Sequence, residues 1–325
     1  PGRAGACPLA APRGAGMTIR LGLVGLGTIA RAQHLPSIAA TEGIELVAIA
    51  SRNATLDGVA NYPNVGALLA AEPDITAISL CTPPQGRFDQ AVTVIRAGRH
   101  LMLEKPPGSS IAEVDSLARL ATAAGVTLFA TWHSREAAGV EAARDFLAGT
   151  TLRNLHVSWK EDVRRWHPGQ QWIWEPGGLG VFDPGVNALS IVTRILPEPM
   201  HLTAADLLYP ANRAAPIAAT LSARTASGVP ITADLDWRQT GAQTWDITAE
   251  TDAGRLVLSR GGARLSIDGH TRVTDPDREY QRLYRRFVDL VQSGSSDVDL
   301  APLALVADAF LLGRRQETAP FEDDA

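Results

Sequence analysis

The segment GLVGLGTIA at residues 22–30 decides the fold, because it places the pattern G-x-G-x-x-A directly after an apolar, strand-like run at residues 19–23. The first glycine of the pattern, Gly25, permits a tight turn, and the second, Gly27, lets the backbone approach a pyrophosphate. The small Ala30 allows the following helix to pack closely on the strand. Backbone N–H groups at the start of that helix would bind the phosphates. The pattern predicts a dinucleotide site, and a strand–helix turn without any ligand is the alternative.

Beyond this turn, apolar strand-like runs alternate with helix-compatible segments. Further strands are predicted at residues 45–50, 75–80, 100–103 and 126–131, and helices around residues 85–97 and 111–123. Continuous apolar strands separated by helices indicate parallel βαβ winding with both faces of the sheet buried. The sequence therefore predicts an α/β fold whose N-terminal part is a Rossmann-type, doubly wound parallel sheet. We assign this dinucleotide-binding domain to residues 17–133.

After residue 133 the sequence changes character. Helices are predicted around residues 136–147, 184–195, 279–291 and 302–312, a strand at residues 152–160, and several more strands up to residue 268. Turn signals such as SGVP and TDAG divide the later runs, which favours antiparallel pairing. We therefore expect an α+β domain built on an open, mostly antiparallel sheet at residues 134–325, used for substrate binding and oligomerisation. Residues 1–16 contain no acidic side chain, and we predict a disordered extension there.

The composition argues against several classes of protein. Thirty Lys and Arg residues stand against 35 Asp and Glu residues, so the net charge is −5, and without a basic block no nucleic-acid partner is expected. No apolar run reaches the roughly 20 residues that a membrane-spanning helix needs. Two cysteines, Cys7 and Cys81, and histidines without ligand spacing predict neither a disulfide framework nor a metal site. We expect a cytoplasmic protein.

The residues after the second predicted strand indicate the choice of cofactor. An acidic side chain would bind the ribose 2′-hydroxyl at this place, but the chain has Ser51 and Arg52. A hydroxyl and a guanidinium suit a 2′-phosphate better than a carboxylate would. The sequence therefore predicts that NADP is preferred and that NAD is also accepted, with a solvated surface position for Arg52 as the alternative.

Two motifs at strand ends, CTPP at residues 81–84 and EKPP at residues 104–107, resemble those of the glucose–fructose oxidoreductase / inositol dehydrogenase family. Within that family, the run at residues 159–187 is similar to bacterial L-arabinose/D-galactose 1-dehydrogenases. The resemblance implies oxidation of such an aldose at C1 to the lactone, with hydride transfer to NAD(P). It also implies cofactor contacts, which we predict for Gly25, Gly27, Thr28, Ile29, Ser51, Arg52, Cys81, Thr82, Pro83, Glu104 and Lys105.

Three residues are predicted to be catalytic. Lys105 follows a parallel strand at the edge where the crevice of an open α/β sheet lies, and its ammonium can stabilise alkoxide charge on the C1 oxygen. Asp183 and Asn187 share one helix face, where many family members carry aspartate and histidine. Because Asn187 cannot act as a base, we assign proton removal to Asp183 and orientation of the hydroxyl to Asn187. The alternatives are a helix-capping role for Asp183 and a surface ion pair between Lys105 and Glu104.

The tryptophans point to a sugar site, because five of the seven fall in one region: Trp132, Trp159, Trp166, Trp172 and Trp174. Sugars bind on aromatic faces that are edged by hydrogen-bonding groups, although a single tryptophan ring more often belongs to the core than to a ligand site. We predict substrate contacts for Trp166, Glu161, His133 and His167, which would distinguish the stereochemistry of the hydroxyls.

Two other functions remain open from the sequence. One is an inositol or other polyol dehydrogenase of the same fold, and the other is a dinucleotide-binding sensor without catalysis. The presence of both Lys105 and Asp183 argues against the sensor. The open sheet is expected to expose an apolar face, which would be covered in a homo-oligomer, most simply a dimer.

Overall fold

The structure is a computed structural model, and residues 18–322 are described. The extension predicted at residues 1–16 lies outside the described residues. The strands are β1 (Ile19–Val24), β2 (Ile44–Ala50), β3 (Ala60–Tyr62), β4 (Ala77–Leu80), β5 (His100–Leu103), β6 (Leu128–Ala130), β7 (Leu152–Lys160), β8 (Met200–Pro210), β9 (Ala218–Thr225), β10 (Pro230–Asp236), β11 (Thr244–Thr251), β12 (Gly254–Ser259), β13 (Arg264–Ile267), β14 (His270–Thr274) and β15 (Arg314–Thr318). The α-helices are α1 (Leu35–Ala39), α2 (Val65–Ala71), α3 (Arg87–Arg96), α4 (Ile111–Ala124), α5 (Val140–Ala148), α6 (Val163–Trp166), α7 (Phe182–Ile195), α8 (Glu279–Ser293) and α9 (Ala301–Leu312).

The first sheet has six parallel strands in the order β3-β2-β1-β4-β5-β6. Its central strands are apolar and almost completely buried, as a parallel sheet covered on both faces requires. The predicted Rossmann-type sheet is therefore confirmed. Strand β3 has only three residues, none of them buried, and no sequence pattern predicts it.

The second sheet has nine strands in the order β14-β13-β12-β11-β7-β10-β9-β8-β15. Two neighbouring pairs, β7 with β10 and β8 with β15, are parallel, and the other six are antiparallel. The predicted α+β part with a mostly antiparallel sheet is confirmed. Helices α5, α7 and α9 pack on one face of this sheet.

The opposite face of the nine-stranded sheet is polar. Along β9, buried residues alternate with the exposed Thr220, Ser222 and Arg224, as in a sheet with one face in solvent. The large exposed apolar side chains found within residues 18–322 all lie outside the strands of this sheet. The apolar face on which the predicted oligomer rested is therefore not present there, and the oligomer itself stays a prediction.

Helix α8 packs on the first sheet although it follows the second one in the chain. Its residues Tyr280, Leu283 and Phe287 form one buried cluster with Leu21 and Leu23 of β1. The chain thus returns to the dinucleotide-binding part near its end, and a boundary at residue 133 for the whole chain stays a prediction. None of the helices in the described part of the chain has both the length and the apolar character to cross a bilayer.

Candidate active site

A cleft of about 390 Å³ lies at the carboxyl ends of the strands of the first sheet. Its lining comes from the glycine loop, from both strand-end motifs and from the loop region before α7. The lining residues are Gly27, Thr28, Ile29, Cys81, Thr82, Pro83, Pro84, Arg87, Glu104, Lys105, Trp166, His167, Gln170, Trp172 and Asp183. Eleven of the residues predicted from the sequence are thereby brought together around one cavity.

The glycine loop fits a dinucleotide. Gly25 has φ +93°, and a Cβ there would lie 3.0 Å from backbone atoms of Cys81 and Thr82, so the turn itself requires glycine. A Cβ at Gly27 would meet no protein atom within 4 Å. No protein contact therefore demands glycine at that position, which leaves room for a ligand phosphate to approach the backbone. The residues present thus suit the pyrophosphate for which the pattern is known.

The two residues predicted to choose the cofactor lie beside this loop. Gly25 N donates to Ala50 O at 2.9 Å, so Ser51 directly follows the point where β2 meets the turn. Ser51 N donates to Tyr62 O at 2.9 Å, and Arg52 is exposed. Neither residue lines the cavity described above, and their contact with a 2′-phosphate stays a prediction.

Arg87, which was not predicted from the sequence, joins the two strand-end motifs. Its Nε donates to Thr82 O at 2.9 Å, and its terminal nitrogens donate to Thr82 O, Glu104 O and Pro106 O. The side chain is 2% exposed, and burial lowers its pKa to about 10. An arginine shortly after a strand-end turn is a common surface residue, so no sequence signal distinguished it.

Lys105 and Asp183 meet in the cleft. Lys105 Nζ donates to Asp183 Oδ2 at 3.2 Å and to the backbone oxygen of the same residue at 3.0 Å. Asp183 is 2% exposed and lies in the first turn of α7. The helix begins at Phe182 without a side-chain cap, so the capping alternative for Asp183 is not seen. Gly185, where a Cβ would come within 2.7 Å of Leu235, lets this helix lie close to the sheet.

His167 lies between two carboxylates. Its Nε2 is 3.6 Å from Asp183 Oδ2 and 3.8 Å from Glu161 Oε1. Burial lowers the pKa of His167, against the charge of Asp183, so the imidazole is neutral at pH 7. The site therefore combines an ammonium, two carboxylates and a neutral imidazole within a few ångströms.

Glu161 is held by two tryptophans that the sequence analysis did not assign to the site. Trp237 Nε1 donates to Oε1 at 3.3 Å, and Trp245 Nε1 donates to Oε2 at 2.8 Å. Burial raises the pKa of Glu161, although both indole bonds oppose the shift. The two rings lie outside the tryptophan-rich region, at the ends of strands, and only the pairing of β10 and β11 with β7 brings them to Glu161.

The five tryptophans of the sequence cluster divide into two groups. Trp166 and Trp172 line the cleft, and Trp166 is 42% exposed. The remaining three, Trp132, Trp159 and Trp174, are buried in the core. The core interpretation therefore applies to these three rings, and sugar contact stays a prediction for Trp166.

Asn187 and His133, like Glu161, do not belong to the cavity lining. Asn187 is partly exposed, one helical turn beyond Asp183. His133 Nδ1 is 2.6 Å from Glu279 Oε2, and its ring stacks on Tyr280. Their roles in substrate binding stay predictions. Within residues 18–322, no group of three or more His, Cys, Asp or Glu side chains is arranged to hold a metal ion.

Comparisons with known proteins agree with this architecture. The model of an oxidoreductase family with an NAD-binding Rossmann fold matches residues 19–131. A galactose 1-dehydrogenase of Pseudomonas fluorescens is 42% identical over 317 residues, which are 94% of this chain and 99% of the relative. The solved D-galactose-1-dehydrogenase of Rhizobium etli is 56% identical with a TM-score of 0.92, covering 95% of this chain and 99% of that one.

A more distant neighbour shares the fold. A variant of a 3-ketoreductase from Actinomadura kijaniata, solved with TDP-benzene and NADP, is 21% identical with a TM-score of 0.81 and covers 93% of this chain and 99% of its own. The two full-length galactose dehydrogenases confirm the family resemblance of the strand-end motifs. The chain belongs to the oxidoreductase family with an NAD-binding Rossmann fold that takes its name from glucose–fructose oxidoreductase and inositol dehydrogenase, and it is a homologue of galactose 1-dehydrogenases.

Proposed function

We propose that the chain oxidises an aldose of galacto configuration, D-galactose or L-arabinose, at C1 to the aldonolactone, with NADP preferred over NAD. The observation that carries the proposal is the pair of Lys105 Nζ and Asp183 Oδ2, 3.2 Å apart in the cleft that begins at the glycine loop. The full-length similarity to galactose 1-dehydrogenases supports the choice of substrate. The homo-oligomeric state and the cytoplasmic location are part of the same proposal.

The nicotinamide cofactor would supply the hydride acceptor, and Gly25, Gly27 and the helix start after them would hold its pyrophosphate. The protein must then move one proton. Lys105 donates a hydrogen bond to the C1 oxygen and stabilises the negative charge that develops there. Asp183 accepts the hydroxyl proton as the general base. Because the ammonium lowers the proton affinity of the sugar oxygen, a carboxylate suffices as the acceptor.

The second half of the site recognises the sugar. Glu161 and His167 offer a buried carboxylate and a neutral imidazole to the other hydroxyls, and Trp166 offers an aromatic face. A sugar without the matching hydroxyl would lose a hydrogen bond to one of these buried groups, which lowers kcat/KM for that sugar. L-Arabinose and D-galactose share their ring stereochemistry and differ by one hydroxymethyl group, so the space near C5 decides between them.

A panel of sugars tests the proposal. The purified protein is given aldoses and polyols with NADP or NAD, and the absorbance of the reduced nicotinamide is followed. Activity on D-galactose and L-arabinose with lactone as the product is expected. If only inositol or other polyols were oxidised, the substrate would be a polyol and not an aldose. If no compound were oxidised, a dinucleotide-binding protein without catalysis would be favoured.

The cofactor preference has its own test in Arg52→Ala. Loss of the guanidinium should raise the KM for NADP about tenfold or more and leave the KM for NAD nearly unchanged, because only NADP carries the 2′-phosphate. Arg96→Ala, another exposed arginine at the end of α3, is the matched control. An unchanged KM for NADP in Arg52→Ala would remove this residue from the cofactor site.

A further inference from the structure

A buried polar cluster connects the end of β5 with helix α8 and with the helical turn after the glycine loop. His34 lies with Nδ1 2.7 Å from the Tyr284 hydroxyl and Nε2 3.1 Å from Glu104 Oε2. The Tyr280 hydroxyl donates to Glu104 Oε1 at 2.9 Å. All four side chains belong to residues that are almost completely buried, so water does not compete for these hydrogen bonds.

The charges in this cluster follow from its contacts. Burial alone would raise the pKa of Glu104, but the hydrogen bond and charge of His34 lower it to about 2. Burial alone would lower the pKa of His34, but its contacts with Cys81 and then Tyr284 raise it well above its usual value. Both shifts favour the charged forms, an imidazolium beside a carboxylate, and the 3.1 Å contact between the two side chains fits such a pair. An imidazolium can donate from both ring nitrogens, which satisfies Tyr284 and Glu104 together.

The cluster is next in sequence to the residue that polarises the substrate in the proposed function. Glu104 precedes Lys105, and Arg87 donates to the backbone oxygens of Glu104 and Pro106 on either side of it. The backbone around Lys105 is thus fixed by buried hydrogen bonds. This matters because a misplacement of about 1 Å at reacting groups can cost a hundredfold in rate.

Stability alone does not explain a buried ion pair at this place. The cost of desolvating two charges largely cancels their attraction, and apolar side chains of similar volume would stabilise a core equally well. One carboxylate oxygen of Glu104 pairs with His34 and the other accepts from Tyr280, so the protein itself compensates this carboxylate. That pairing argues against a contact with the cofactor as its main role.

We propose that Glu104, held by His34 and Tyr280, is a positioning residue that directs Lys105 toward Asp183, and that helix α8 thereby completes the active site. The inference rests on the proposed function for its kinetic consequence. Its structural consequence, the distance between Lys105 Nζ and Asp183 Oδ2, does not depend on which substrate is used.

The first test is Glu104→Gln, which keeps the shape of the side chain and removes its charge. We expect kcat to fall about tenfold to a hundredfold, because Lys105 is no longer held in place. The KM for NADP, and the Kd of NADP measured by quenching of tryptophan fluorescence, should change less than about twofold, since the glycine loop is untouched. In a crystal structure of the variant, Lys105 Nζ should lie more than 4 Å from Asp183 Oδ2.

Tyr280→Phe is the second variant, in case Glu104→Gln does not fold. It removes only the tyrosine hydroxyl that donates to the Glu104 carboxylate. A smaller fall in kcat, about threefold to tenfold, is expected from the loss of one hydrogen bond to a charged group. Tyr209→Phe is the matched control, since the Tyr209 hydroxyl is buried without a partner and is not part of this cluster. Its kcat should equal that of the wild type.

The outcomes separate the two proposals. A raised Kd for NADP with a normal kcat in either variant would make Glu104 a cofactor residue and overturn the positioning role. Unchanged kcat and an unchanged distance between Lys105 and Asp183 would overturn it as well. If the wild type oxidised no aldose, the proposed function would fail, and the crystallographic distance would still decide the positioning role.

Discussion

Glu104 and Glu161 are buried to nearly the same degree, 4% and 5% exposed, but their surroundings differ in one respect that decides their behaviour. His34, whose raised pKa favours the imidazolium, and the Tyr280 hydroxyl bind Glu104, and the pKa of Glu104 falls to about 2. Among residues 18–322, the hydrogen bonds to the Glu161 carboxylate come from two neutral indole N–H groups, and burial raises its pKa. Burial alone therefore does not tell what a carboxylate does.

The difference indicates that the two buried carboxylates have different functions. A buried carboxylate that is fully compensated by a cation has little to gain from a ligand and serves to hold the backbone around it. A carboxylate with only neutral donors keeps part of its charge uncompensated, so a hydrogen bond from a sugar hydroxyl is worth more to it. Asp183 lies between these two environments, 3.2 Å from Lys105 Nζ and 3.6 Å from His167 Nε2.

The largest effect on catalysis is expected at Asp183, which lies between the two environments. Asp183→Asn should lower kcat by ~10²–10⁴, because the amide cannot accept the hydroxyl proton. Initial rates with saturating sugar and NADP measure the loss. Asp162→Asn is a control on the same side of the site, since Asp162 caps α6 and pairs with Arg164 without lining the cleft. A fall of less than about threefold in Asp183→Asn would move the base elsewhere.

Glu104→Gln should have the next largest effect, this time on stability. Removing one partner of a buried ion pair leaves His34 uncompensated, and we expect the free energy of unfolding to fall by about 3–5 kcal/mol. Urea unfolding at pH 7, followed by tryptophan fluorescence, measures the change. Adding His34→Gln should recover part of the loss, because the unpaired charge is then gone. An unchanged midpoint in the single variant would show that the pair is not charged.

Glu161→Gln should affect binding rather than folding. The amide keeps one acceptor but loses the charge, so the KM for the sugar should rise about tenfold to a hundredfold, with a smaller change in kcat. Steady-state kinetics over a wide range of sugar concentrations measures both values. Glu175→Gln, an exposed residue of the loop before α7, is the control. A normal KM in Glu161→Gln would exclude this carboxylate from the sugar site.

The residues of the site also differ in how far they could be predicted from the sequence. Gly25, Gly27 and Lys105 follow from local patterns, because a turn between a strand and a helix is specified by its own residues. The same holds for β7, whose predicted range of 152–160 is confirmed. Features that are specified by residues close together in the chain were therefore predictable.

The rest depends on pairing over long distances. Trp237 and Trp245 reach Glu161 only because β10 and β11 both pair with β7. The edge of the sheet where β7 and β10 end is the edge where β11 begins. His34 meets Tyr284 across 250 residues of sequence. No local sequence pattern predicts either contact. The residues could therefore be identified from the sequence, but their contact partners could not.

The smallest effect concerns pH, where the two glutamates should act in opposite directions. Because the folded pKa of Glu104 is lowered to about 2, its contribution to stability is present above its ordinary pKa and is lost as the pH falls toward 2. Because the folded pKa of Glu161 is raised, the folded state favours its protonated form, and stability is lost as the pH rises through that pKa.

At pH 7, Glu161→Gln should therefore be slightly more stable than the wild type, and this advantage should vanish in acid. Glu104→Gln should instead lose most of its disadvantage in acid. Urea unfolding of the wild type and both variants between pH 3 and pH 8 measures the two trends, and parallel curves for the two variants would remove the distinction between the two carboxylates.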